Sequence, residues 1–187
     1  YNVGDLVFGF VGWQSHCITK AEENERFRVI PPLLPIPTML NVMGTTGITA
    51  YYGLLELGNP QPGETVLVSG AAGATGSVVV QIAKLKGCHV IAIAGGKEKC
   101  DWLKEVGADD VIDYKNSNVH EELAKIATNG IDIYFDNVGG DILETVLFCI
   151  NINARILLCG GISSGYDATA LPDGPKNLFS LIIKRAT

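Results

Sequence analysis

From Gly63 onward the chain alternates short, uninterrupted apolar runs with segments of helical period, and this rhythm restricts the fold more than any other feature. Thr65-Val66-Leu67-Val68-Ser69 reads as a strand buried on both faces. After Gly76, the residues Val78, Val79, Ile82, Ala83 and Leu85 follow helical spacing, and Gly87 closes the segment. His89 to Ile93 is a second strand, Lys97 to Val106 a second helix and Val111-Ile112 a third strand. Val119, Leu123 and Ile126 mark a helix, and Ile131 to Phe135 a fourth strand. Ile142 to Ile150 reads as a helix and Arg155 to Cys159 as a fifth strand. Strands and helices alternating through short connections predict a doubly wound α/β fold, a parallel sheet covered on both faces.

The first forty residues break that rhythm. Val3-Gly4-Asp5-Leu6-Val7 and Phe8-Gly9-Phe10 look like strand and turn from another domain, and Pro31 to Pro37 reads as a proline-rich linker in extended conformation. The expected division is 1–37 and 38–187. A start without Met, opening in the middle of an element, suggests a stretch of a longer protein.

Composition narrows the functions open to such a chain. Hydrophobic residues make up 47% and charged ones only 18%, a balance that excludes general disorder. A net charge of −6 with no basic run argues against nucleic acid as a partner. No apolar stretch is long enough to cross a bilayer, so no membrane is expected. Cys17, Cys88, Cys100, Cys149 and Cys159 form no C-x-x-C pair and read as reduced, mostly buried thiols of a cytoplasmic protein. With His16, His89 and His120 also far apart, no metal site is expected.

The chemistry concentrates in Gly70-Ala71-Ala72-Gly73-Ala74-Thr75-Gly76, between the first strand and the first helix. Gly73 would let the backbone approach a pyrophosphate, Gly76 would let the helix pack on the strand, and the helix N-terminus would supply N–H donors. The strict G-x-G-x-x-G spacing puts its first glycine at Ala71, so the strand–loop–helix context carries the reading. A glycine-rich turn without a ligand is the alternative. A P-loop would need Lys-Ser or Lys-Thr after the last glycine, and a Tyr-x-x-x-Lys pair is absent as well. About 20 residues beyond the loop, where an acidic residue would bind a ribose hydroxyl, stands Ala94-Gly95-Gly96-Lys97-Glu98-Lys99. Glycine does not repel a 2′-phosphate and the two lysines can neutralise one, so NADP is favoured, with Glu98 as the counter-signal.

Several motifs in register now point to a family. Gly47-Ile48-Thr49-Ala50-Tyr51-Tyr52-Gly53-Leu54-Leu55, Gly63-Glu64-Thr65-Val66-Leu67-Val68, Gly73 to Val79, Gln81 to Cys88 and Tyr134-Phe135-Asp136-Asn137-Val138-Gly139-Gly140 resemble the medium-chain dehydrogenase/reductases. Within them the chain is similar to the zinc-independent prostaglandin reductase (leukotriene B4 12-hydroxydehydrogenase) group, with curcumin and alkenal reductases.

The resemblance implies a Rossmann-type NADP-binding domain over 38–187, its C-terminal part missing, preceded in 1–37 by the end of a GroES-like β domain. It implies that Gly73, Ala74, Thr75 and Gly76 hold the pyrophosphate and that Lys99 and Tyr114 meet the adenosine 2′-phosphate. Asn137 would contact the cofactor from the end of the fourth strand, and Cys159-Gly160-Gly161-Ile162-Ser163 would pass the nicotinamide. Tyr166 maps onto the active-site tyrosine through a loop one residue longer than the family's, and Phe10 and Trp13 onto the substrate pocket.

The implied reaction is NADPH-dependent reduction of the carbon–carbon double bond of an α,β-unsaturated ketone or aldehyde, without zinc. A cytoplasmic homodimer acting on a small-molecule enone is the implied setting. A quinone reductase of the same superfamily is the rival enzyme, and an NADP-binding module without catalysis the rival of another class.

Overall fold

Strand β3 (Thr65–Val68) is buried at every residue, because it lies in the middle of a five-stranded sheet with helices on both faces. The computed structural model describes residues 1–20, 27–30, 35–164 and 174–187. After β3 come helix α2 (Ala74–Leu85), β4 (His89–Ala94), α3 (Lys97–Glu105), β5 (Asp110–Asp113), α4 (Val119–Ile126), β6 (Ile131–Asp136), α5 (Gly140–Leu147), β7 (Ile150–Leu158) and α6 (Phe179–Lys184). The order across the sheet is β5-β4-β3-β6-β7, with every neighbouring pair parallel. This is the Rossmann arrangement expected from the sequence.

Alternation along the strands divides the apolar residues between two cores. Val66, Val68, Val90, Ala92 and Ala94 pack with α2 and α3 on one face. Leu67, Ile91 and Ile93 pack with Leu123 of α4 and with Val146 and Leu147 of α5 on the other. Every second residue of β3 and β4 therefore faces helices of the opposite layer, which is why their sequences show no polar alternation.

The last α/β step departs from expectation. The helix ends at Leu147 rather than Ile150, and the strand begins at Ile150 rather than Arg155. Val146-Leu147-Phe148-Cys149-Ile150 is apolar throughout, so periodicity alone could not divide it. Ile150 instead pairs with Ile131, and the register then jumps so that Ile133 meets Arg155. Asn153, with φ of 64°, lies in that irregular stretch.

Before β3, helix α1 (Thr45–Tyr51) runs directly into a π-helical segment, Tyr52–Gly58, neither of which was assigned from the sequence. Arg155 fastens this segment to the sheet. Its Nε donates to the Gly58 carbonyl at 2.9 Å, and its two terminal nitrogens grip the Glu64 carboxylate at 2.8 and 2.6 Å. A guanidinium thus satisfies a helix-end carbonyl and a carboxylate at once.

The chain divides into Tyr1–Met39 and Leu40–Thr187. In the first unit β1 (Val7–Phe8) pairs antiparallel with β2 (Arg28–Val29), and the Phe8 and Phe10 rings meet edge-on at 6.2 Å. Of the linker expected to be extended, residues 31–34 lie outside the described set, and Ile36–Leu40 is a 3₁₀ helix. The Thr38 N–H donates to the Pro35 carbonyl at 2.9 Å. Proline's fixed φ suits such a turn as well as an extended chain.

The Glu64 carboxyl is pulled in two directions: burial pushes it up, but the Arg155 and Gln61 hydrogen bonds outweigh this and hold it below its ordinary value. A depressed folded value means that the pair's contribution is complete above the ordinary Glu value of about 4.3 and is lost as pH falls through the folded value. Arg155→Ala should lower stability at pH 7 by about 2–4 kcal/mol, between the costs at exposed and fully buried pairs. Urea denaturation at pH 7 and pH 3 checks both statements, since the variant's deficit should shrink at the lower pH.

Candidate functional site

The strand order reverses between β3 and β6, and a crevice opens beyond their carboxyl ends. A cleft of about 780 Å³ lies there, within the range of roughly 300–1,000 Å³ common for small-molecule sites. Gly73, Ala74, Thr75 and Gly76 line it at the start of α2, and Lys99, Tyr114 and Asn137 line it from the ends of three other elements.

The glycine loop shows why its spacing departs from the strict pattern. The residue with positive φ is Gly70, at 57°, one place before the position held by Ala71. Ala71 is buried and its N–H donates to the Ile93 carbonyl at 3.0 Å. A Cβ on Gly76 would lie 2.5 Å from the Gly70 carbonyl oxygen and 2.8 Å from the Ala71 Cα, so only glycine lets α2 rest on this turn. Gly73 precedes the helix in extended conformation, and no side chain caps α2. First-turn N–H groups thus meet the cleft without a side-chain competitor, an arrangement suited to an anion.

Asp136, fully buried at the end of β6, ties the two central strands together. Its Oδ1 accepts from Ser69 Oγ at 2.8 Å, Tyr134 Oη at 2.7 Å and the backbone N–H groups of Val138 and Gly139, each at 2.9 Å. Ser69 Oγ in turn accepts from the Asn137 N–H at 3.0 Å, and Asn137 Nδ2 donates to the Ser69 carbonyl at 2.7 Å. Burial, and then the Asp136 charge, push the Tyr134 hydroxyl well above its usual value, so it stays a protonated donor. Asn137 is therefore held at the floor of the cleft by the strand next to its own.

At the opposite end, Lys99 is exposed on α3 and lines the cleft. Lys97, the other lysine expected there, is engaged by Asp101 four residues on. Glu98 is exposed and is not among the cleft-lining residues. Tyr114 follows β5, and its ring lies where a Cβ on Gly95 would be, 2.7 and 2.8 Å from two ring carbons.

Beyond β7, Ile162 and Ser163 line the cleft, whereas Cys159, Gly160 and Gly161 are not among its lining residues. The N–H groups of Cys159 and Gly160 donate to the Asp136 carbonyl at 2.8 and 3.0 Å, which places this run against the Asn137 turn. Ser163 Oγ donates to the Val138 carbonyl at 2.6 Å. Although the residue as a whole is exposed, partial desolvation of its sulfur and then the Asp136 charge push the Cys159 thiol up. Cys159 and Cys17 are exposed rather than buried, while Cys88 and Cys100 are buried. Phe10 and Trp13 are exposed residues of the first unit, and Tyr166 lies outside the described residues.

A family model described as zinc-binding dehydrogenase matches residues 74–187. The chain belongs to the zinc-binding dehydrogenase family. Prostaglandin reductase 1 of Oryctolagus cuniculus is 45% identical over 175 residues, covering 92% of this chain and 50% of the relative. The NADPH-dependent curcumin reductase of Escherichia coli (strain K12) is 45% identical over 180 residues, covering 95% and 51%. The crystal structure of CurA in complex with NADPH from Vibrio vulnificus superposes with a TM-score of 0.78 at 48% identity, over 86% of this chain and 50% of that one. The chain spans about half the length of the curated relatives it matches. Despite the family's name, among the described residues no group of three or more His, Cys, Asp or Glu side chains could hold a metal ion.

Ser69, Asp136 and Asp141, which all stand at this zinc-binding dehydrogenase cleft or beneath it, were not picked out from the sequence as site residues. Ser69 and Asp136 are 67 positions apart, one just after β3 and the other the last residue of β6; only the sheet order makes them partners. Asp136→Ala should destabilise the fold by about 3 kcal/mol or more, because each buried donor left without its acceptor costs roughly 1–3 kcal/mol. Asp136→Asn keeps an acceptor oxygen and should cost clearly less. Chemical denaturation of both variants checks this, and equal losses would show that Asp136 is not the shared acceptor.

Proposed function

We propose that this chain binds NADPH in the cleft beyond β3 and β6, as the cofactor-binding part of an enzyme that reduces the carbon–carbon double bond of α,β-unsaturated ketones and aldehydes. The observation that carries the reading is the combination of an uncapped, glycine-lined α2 start with Lys99 at the far end of the same cleft. The names of the similar prostaglandin and curcumin reductases, and the NADPH in the similar CurA structure, support the choice of cofactor and substrate class.

In this reading the backbone of Gly73 to Gly76 meets the pyrophosphate, since N–H donors at a helix start favour negative charge. Lys99 and Tyr114 take the adenosine 2′-phosphate, where an acidic side chain would repel it. Asn137, Ile162 and Ser163 border the other end, and Cys159, Gly160 and Gly161 support them from behind. NADPH, when bound, would supply a hydride to the β-carbon of the enone, and the enolate so formed would take a proton from water at its α-carbon; the chain's part is to orient the cofactor. Tyr166 is assigned the hydrogen bond to the oxygen that becomes negative during the reaction.

Residues 1–37 are assigned to the end of a GroES-like substrate domain, with Phe10 and Trp13 against the enone. The parent protein is taken to be a cytoplasmic homodimer working without zinc. Activity of the parent enzyme toward enones should survive exhaustive chelation, and chelator-dependent loss restored by zinc would overturn that last point.

Calorimetric titration of the 187-residue chain tests the cofactor assignment. NADPH should bind more tightly than NADH, and Lys99→Ala should weaken NADPH about ten- to hundredfold, the loss of one charge-assisted contact. NADH should be nearly unaffected. Equal binding of the two cofactors would overturn the 2′-phosphate assignment.

A further inference from the structure

The end of β5 carries a carboxylate whose hydrogen bonds join two turns of the cleft that the covalent chain does not join. Asp113 Oδ1 accepts from the Gly96 N–H at 2.9 Å, across from its own strand, and from the Lys115 N–H at 3.1 Å. Its Oδ2 accepts from Asn116 Nδ2 at 2.7 Å. The Asp113 carbonyl also accepts, from the Asn116 and Ser117 N–H groups at 3.1 and 2.9 Å and from Ser117 Oγ at 2.8 Å. On one side of this knot is the start of α3, two residues before Lys99; on the other is Tyr114, whose N–H donates to the Ala94 carbonyl at 3.1 Å.

The space between the two turns is tight. A Cβ on Gly95 would lie 2.7 Å from a Tyr114 ring carbon and 3.0 Å from Lys115 Cε. Tyr114 and the Lys115 side chain thus lie over a glycine that leaves them room, and the position of both depends on how the β5 end is held against the β4–α3 turn. Gly96, with φ of 98°, presents its N–H to Asp113 from a backbone conformation that favours glycine. The hydrogen bonds from Gly96 and Asn116 outweigh the slight burial and hold the carboxyl below its ordinary value, so Asp113 is an ionised acceptor at neutral pH.

We propose that Asp113 is a positioning residue for the cofactor's adenosine end: by fixing the Gly96 and Lys115 backbone to one carboxylate it sets Lys99 and Tyr114 for a 2′-phosphate, and so contributes to the preference for NADPH over NADH. The proposal rests on the reading of this cleft as an NADPH site. A carboxylate beside a phosphate site is electrostatically unfavourable, which makes the positional role specific: removing the charge alone would strengthen binding of the phosphate, whereas loosening the turns weakens it.

The test is calorimetry on the 187-residue chain with NADPH, NADH and 2′,5′-ADP, with thermal unfolding of each variant alongside. Asp113→Ala should weaken NADPH and 2′,5′-ADP about tenfold, a loss of the order of one charge-assisted contact, and leave NADH within about twofold. Asp113→Asn keeps an oxygen for the Gly96 and Lys115 N–H groups and should lose clearly less than the alanine variant. Parallel losses for NADPH and NADH, no loss for NADPH, or an equal loss in both variants would overturn the proposal. If Asp113→Ala does not fold, Asn116→Ala replaces it, with a smaller loss confined to NADPH and 2′,5′-ADP expected and a uniform or absent loss contradicting. Wild-type chain that binds NADPH no better than NADH would instead overturn the reading of the cleft, and the role of Asp113 with it.

Discussion

A single buried oxygen, Asp136 Oδ1, gathers donors from the residue after β3, from β6 and from the turn that follows β6. What meets at the Asn137 end of the cleft depends on this arrangement, because the register between β3 and β6 stops at Val68 and Phe135 and the residues beyond are joined through this carboxylate. Ser69 Oγ passes the constraint on to Asn137, and the Asp136 carbonyl takes the N–H groups of Cys159 and Gly160 from the end of β7. Three loops are thereby fixed to one residue. Every donor that reaches this carboxylate is satisfied, which matters because an unpaired donor in this interior would cost more than the bond contributes. Asp136 Oδ2 is buried without a hydrogen-bond partner among the described residues, so Oδ1 carries the whole load.

The two ends of the cleft are built differently. At the Asn137 end the hydrogen bonds are buried or half-buried, and those of Ser69 cross from the end of one central strand to the other. At the Lys99 and Tyr114 end they are half-exposed and run between turns, with Asp113 in the role that Asp136 plays at the other. A rigid end suits the part of a ligand where atoms must be placed for reaction, and a charged, solvated rim suits the part that only selects. Between them the α2 start offers backbone donors, which need no side chain and so survive variation around the glycines.

Much of this was legible in the sequence because parallel β-α-β units leave a strong imprint. Strands buried on both faces read as unbroken apolar runs, and the order of elements then fixes the layers. The glycine loop was legible from its place between strand and helix, even though its positive-φ residue is Gly70 rather than the residue at position 71. Lys99 was legible as one of two lysines, but the engagement of Lys97 by Asp101 is a matter of helical geometry that residue type alone does not rank. The hub was not legible, since Ser69 and Asp136 become partners only through the adjacency of β3 and β6. The α5–β7 boundary failed for a local reason: an apolar run satisfies helix and strand patterns alike until Ile131 claims Ile150 as its partner. Proline near residue 37 suggested an extended linker, where backbone hydrogen bonding instead closes a 3₁₀ turn.

We place the dinucleotide along the whole length of one cleft, at the reversal between β3 and β6. Backbone amide shifts of the isotope-labelled chain, followed by NMR during addition of NADPH, test this placement most directly. The largest changes should fall together on Gly73–Gly76, on Gly95–Lys99 with Tyr114, and on Asn137–Gly139, saturating with one common affinity. Changes confined to surfaces away from these three segments, or segments that saturate at different concentrations, would contradict it.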